Sequence, residues 1–84
     1  MGIVVCDKCE AISSGETTVG FLIKEGDILH KEGVRSDREK IMQAMKKYNE
    51  ACNILKNNNC HADCINKIDN EYRNLYRSLQ GSRA

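Results

Sequence analysis

Between Ser36 and Gly81 the apolar residues recur at alternating steps of four and three. The first run is Ile41, Met45, Tyr48, Cys52 and Leu55; the second is Ile65, Ile68, Tyr72, Leu75 and Leu79. Such a rhythm lays one stripe along one face of an α-helix and makes the seam of a short coiled-coil-like hairpin. Asn57-Asn58-Asn59 separates the runs, and Asn tolerates the left-handed backbone that ends a helix. Two antiparallel helices follow from this, each with a stripe that must be covered. The cover is the N-terminal third, a second copy of the chain, or another protein.

Local signals mark the ends of both helices. Ser36-Asp37-Arg38-Glu39 has the spacing of a capping box, and its acids sit near the positive end of the helix dipole. The first helix is expected to run to about Lys56. Asn59 can cap the second, Asp63 falls in its first turn, and Gly81 stands where a C-terminal cap belongs. Asp63–Lys67 and Asp69–Arg73 are acid-first pairs four apart, most simply a solvated face.

The N-terminal third reads differently. Gly2 to Val5 is a short apolar run that enters Cys6-Asp7-Lys8-Cys9, the way a zinc knuckle begins. Ser13, Ser14 and Gly15 mark a loop, and Thr17 to Ile23 is β-branched and apolar, as a strand would be, with Gly20 at a bulge or a close backbone approach. Lys24-Glu25-Gly26-Asp27 reads as a turn, Ile28-Leu29-His30 as a return strand, and Gly33 closes the unit. The expected fold class is α+β: one small domain over 1–84, with an antiparallel zinc-knuckle β unit over 1–33 and a helical hairpin over 36–80.

A chain of 84 residues with no Trp and one Phe (Phe21) has little core, so a staple or a partner is expected. Five cysteines is an odd number for a disulfide scaffold. The chain shows no transmembrane-length apolar run and no secretory pattern. A cytoplasmic setting, with thiols on metal or free, is the expectation. Thirteen basic residues against twelve acidic ones argue against a dedicated nucleic-acid or membrane surface.

The knuckle pair Cys6 and Cys9 and the pair Cys60 and Cys64 make a four-cysteine zinc set. Cys60 and Cys64 lie four apart at the start of the second helix, whose positive end favours thiolates. The first helix, about 20 residues long, spans roughly 30 Å, so a shared site requires the N-terminal unit to fold back beside the hairpin. Two alternatives stand beside it: a tip site from Cys52, Cys60, His61 and Cys64, or a local site from Cys6, Cys9 and His30. The structural readings are simpler. Cys52 occupies a seam position and reads as core; His30 and His61 read as an ordinary strand residue and an exposed tip residue. Tyr48, Tyr72 and Tyr76 read as packing residues.

The first dozen residues, Ile3-Val4-Val5-Cys6 and Cys9 followed by Ala11-Ile12, resemble short zinc-knuckle regulatory peptides of bacilli. Those peptides place their second cysteine pair close to the first, whereas the next cysteine here is Cys52. No role or ligand carries over.

Catalysis has no support in the sequence. There is no Ser-His-Asp order, phosphate-cradling Gly loop or H-E-x-x-H helix, and a zinc saturated by cysteine has no open position for water. The favoured function is a non-enzymatic zinc-stabilised regulatory or adaptor protein that binds a protein partner through its hairpin, for example as an inhibitor or antagonist of a transcription or signalling factor, with a homodimer as the simplest version. The alternative is a zinc-containing nucleic-acid-binding transcriptional regulator, using Lys46-Lys47 with Lys56, or Arg73 with Arg77.

Overall fold

The computed structural model describes residues 3–33 and 38–81. Among these, the chain forms α1 (Asp7–Ala11), β1 (Ser13–Ser14), β2 (Thr17–Thr18), α2 (Val19–Gly33), α3 (Arg38–Asn57) and α4 (Ala62–Gly81). The hairpin of long helices is present, within a residue or two of the expected bounds. Ser36 and Asp37, the start of the expected capping box, lie outside the described residues.

The β unit is smaller than expected, and most of it is helix. Ser13 pairs with Thr18 and Ser14 with Thr17 in a two-residue antiparallel ribbon. Its turn begins at Gly15, whose φ of +65° suits a residue without a Cβ. The expected strand over Thr17 to Ile23 and the return strand over Ile28 to His30 are replaced by the single helix α2. Thr18 starts it: its hydroxyl oxygen accepts a hydrogen bond from the Phe21 N–H at 3.1 Å, as an N-cap does. The buried residues Val19, Leu22, Ile23, Gly26 and Gly33 then follow a helical period, not a strand's. Gly26 makes no turn. A Cβ there would lie 2.6 Å from Cε1 of Tyr48, so the missing side chain lets α2 lie close against α3.

α3 is the central element and packs against both α2 and α4. All five residues of its stripe are buried, along with Ala44 and Ala51. On α4, Ile68 and Leu75 are buried, while Ile65, Tyr72 and Leu79 are partly so. The stripe is thus covered by the chain's own N-terminal third, through α2. Tyr48 is fully buried, and its hydroxyl donates to Oδ1 of Asp27 at 2.5 Å. Burial, reinforced by that carboxylate, holds the phenol well above its ordinary pKa.

The other oxygen of Asp27 accepts from the Ile3 N–H at 3.2 Å. Lys67 Nζ donates to the Val4 carbonyl at 3.3 Å, instead of closing the expected pair with Asp63. The Ile3–Val5 segment is therefore tied to α2 and α4 together, and it delivers Cys6 to the hairpin tip. The expected Asp69–Arg73 pair does form, at 3.1 Å. Among the described residues, no helix is long and apolar enough to cross a membrane.

Candidate metal centre

The tip is shaped by the end of α3. Asn59 takes φ of +51°, the Cys60 N–H reaches back to the Leu55 carbonyl at 3.0 Å, and the Asn59 N–H to the Lys56 carbonyl at 3.2 Å. These are the two bonds of a Schellman turn, with Asn59 as its left-handed residue. The expected left-handed Asn therefore ends α3; it does not cap α4. His61 stands at that cap position: its carbonyl accepts from the N–H groups of Cys64 and Ile65 at 3.1 and 3.2 Å. The turn thus fixes Cys60, and the first turn of α4 places His61 and Cys64 side by side.

The other half comes from the N-terminus. Cys6 immediately precedes α1, and the Glu10 N–H donates to its carbonyl at 3.0 Å. Cys9, inside α1, is fully buried. The short helix turns both sulfurs toward the tip. Cys6 Sγ lies 3.1 Å from His61 Nδ1 and 3.7 Å from Cys64 Sγ, and Cys9 Sγ lies 3.8 Å from His61 Nδ1. The donor atoms of Cys6, Cys9, His61 and Cys64 all fall within 4.8 Å of one another. Around a tetrahedral zinc, with Zn–S of about 2.3 Å and Zn–N of about 2.0–2.1 Å, adjacent donors are roughly 3.5–3.8 Å apart. The cluster is close to that size, so it could hold a metal ion.

No protein-family model, curated protein or solved structure matches this chain.

Of the four cysteines expected to bind zinc, Cys6, Cys9 and Cys64 meet in this cluster. Cys60 stands beside it, its sulfur in disulfide contact with Cys9 and its Cα 6.4 Å from that of Cys9. His61, named in the sequence only within a local tip site, supplies the fourth donor. The signal for it was its three-residue spacing from Cys64 at a helix start, which turns both side chains to one side. Neither purely local alternative matches this arrangement. Cys52 is buried in the seam with its sulfur toward the Ile65 carbonyl at 3.9 Å, and burial pushes its thiol pKa up. His30 lies on α2 and pairs with Glu71 of α4 at 3.5 Å.

The electrostatics suit a thiolate at Cys6. The Cys9 backbone N–H lowers its pKa most, His61 and Cys64 add to this, desolvation opposes it, and the value settles at about 7 against an ordinary 9.0. A metal takes thiolates, so the site is part-way to the charge state that binding needs.

Proposed function

We propose that this chain is a small non-enzymatic regulatory or adaptor protein, stabilised by zinc and built to bind another protein. The observation that supports it is the meeting of Cys6 and Cys9 with His61 and Cys64, since a cluster joining residues 55 apart ties the two ends of the fold together. Three sulfurs and one imidazole are soft donors that suit zinc and offer calcium or magnesium nothing. Four protein donors leave the ion no open position, which fits a staple and not a catalyst. In so small a core, that staple contributes directly to folding.

The helices would be the docking element. With the main stripe covered by α2, the surfaces left to a partner are the exposed apolar side chains. Val4 and Ile28 flank a groove also lined by Ile3 and Ile23, with Phe21 exposed farther along α2. This moves the proposed docking face from the hairpin seam to α2 and the segment beside it. Self-association through that face is the simplest version.

Metal analysis tests the zinc part. The reduced chain is expected to hold one zinc, Cys6→Ser and Cys64→Ser to lose it, and Cys52→Ala to keep it; full retention in both serine variants refutes the site. For the partner, capture from the native host should depend on the face: Val4→Asp with Ile28→Asp should retain zinc and lose the partner. Sedimentation as a monomer at micromolar concentration would remove the homodimer version.

One observation favours the nucleic-acid alternative. Tyr72, Arg73, Tyr76 and Arg77 line a shallow cleft on α4, with Tyr76 about half exposed, an arrangement able to stack a base and touch phosphate. Tight, sequence-specific binding at physiological salt in an electrophoretic titration would favour that reading over the first.

A further inference from the structure

We propose that Cys60 is an oxidation-sensitive thiol whose sulfenic acid is resolved by Cys9, so that a peroxide-class oxidant dismantles the metal centre by joining the two. The proposal rests on the reading of Cys6, Cys9, His61 and Cys64 as a zinc centre. It starts from the double placement of Cys9. Its sulfur belongs to the donor cluster and is also in disulfide contact with Cys60. One sulfur cannot be a zinc-bound thiolate and half of a disulfide together, so the two states exclude each other. The backbone is compatible with both: the Cys9 and Cys60 Cα atoms, 6.4 Å apart, sit within the span a disulfide covers.

Burial decides where oxidation enters. Cys9 is fully buried, whereas Cys60 is only partly so and opens toward solvent at the hairpin tip. The Schellman turn keeps Cys60 in place, with its N–H bonded to the Leu55 carbonyl, so the thiol stays beside Cys9. Cys52, the remaining thiol outside the cluster, is buried in the seam between α3 and α4 and takes no part.

The chemistry proceeds in two steps. The Cys60 thiolate attacks hydrogen peroxide; the O–O bond breaks, a sulfenic acid forms on Cys60, and hydroxide leaves to become water. The Cys9 thiolate then gives up the metal and attacks the sulfenic sulfur. An S–S bond forms, the S–O bond breaks, and the departing hydroxide takes a proton to become a second water. The two sulfurs supply two electrons, and one peroxide becomes two waters. Cys6, His61 and Cys64 are left as three donors where there had been four, and the ion is released. A dithiol reductant returns two electrons to the disulfide and restores Cys9 to the cluster.

The test uses the reduced, zinc-loaded full chain treated with hydrogen peroxide. A chromogenic chelator reads zinc, and peptide mass mapping reads disulfides. The expected result is one zinc released per chain, a Cys9–Cys60 disulfide, and recovery of zinc binding after dithiothreitol. Cys60→Ser and Cys60→Ala should load zinc like the parent and release it at least about tenfold more slowly. Release at the parent rate in these variants, a disulfide between other cysteines, or a disulfide formed with zinc retained would each overturn the proposal. So would failure of both variants to load zinc, because Cys60 would then be a ligand. A reduced parent chain that binds no zinc removes the metal reading itself, a result distinct from all of these.

Discussion

Replacing Gly26 with Ala sets two effects of known size against each other. In an exposed helix the change favours folding by about 1 kcal/mol. Here the new Cβ would stand 2.6 Å from Cε1 and 2.9 Å from Cδ1 of Tyr48. Carbon atoms pack at about 3.5–4.0 Å, so either the ring or α2 must move by roughly 1 Å. The ring has nowhere to go, since Tyr48 is fully buried and its hydroxyl is held by Asp27, the residue next to the substitution. Overpacking of this kind costs about 1–3 kcal/mol, and a weakened bond to a carboxylate adds up to about 3 kcal/mol. Subtracting the propensity gain leaves Gly26→Ala destabilising by about 0–5 kcal/mol, with the middle of that range at about 2 kcal/mol. A loss of about 2 kcal/mol lowers Tm by roughly 8–16 °C in a domain of this size, readily seen by circular dichroism. Gly20→Ala is the comparison: its Cβ would run into Cγ of Glu10, an exposed side chain that can clear it by turning about its own Cα–Cβ bond, unlike the buried ring. That variant should cost less than Gly26→Ala. If Gly26→Ala melts at or above the parent temperature, or the two variants shift alike, α2 does not approach α3 as described.

Two further expectations follow from the same geometry. Tyr48→Phe leaves one oxygen of Asp27 without its donor and should cost about 1.5–3 kcal/mol in urea unfolding, with a loss below about 0.5 kcal/mol refuting the bond. In the metal-free chain with Cys9 and Cys60 joined, Cys6 should alkylate with a midpoint at about pH 7, and a midpoint at the ordinary 9.0 refutes its hydrogen bonds. The sign is that of a depressed pKa: the Cys6 contribution to stability is full above pH 9.0 and fades as pH falls through about 7.

The hairpin was legible because its period is enforced over many turns and its ends carry strong signals. α2 was not, although Val19, Leu22, Ile23, Gly26 and Gly33 carry the helical spacing. β-branched residues and two glycines outweighed that period locally, and tertiary packing reverses their meaning: Gly26 exists for Tyr48, a residue 22 positions away. At the site, the spacing of Cys6 with Cys9 and the position of Cys64 at a helix start pointed to residues that the fold does bring together. The exchange of Cys60 for His61 in the cluster was not legible, because it depends on where the Schellman turn ends. Both adjacent side chains reach the knuckle, Cys60 toward Cys9 and His61 toward Cys6 and Cys9, and only the folded geometry tells which one joins the cluster. The expected 30 Å obstacle also dissolves, since α2 runs back along α3 and leaves the first residues at the tip.

The separation of the donors along the chain has a consequence for its synthesis. Cys9 and His61 are 52 residues apart, so Cys6 and Cys9 leave the ribosome several seconds before the rest of their cluster at about 5–20 residues per second. During that interval the leading thiols are bare, with neither imidazole nor α4 beside them. An ion captured by all four donors is therefore captured late, after α2 and α3 have been made. Its arrival would mark a chain made at least as far as Cys64, and one cut short before His61 would never close the clasp.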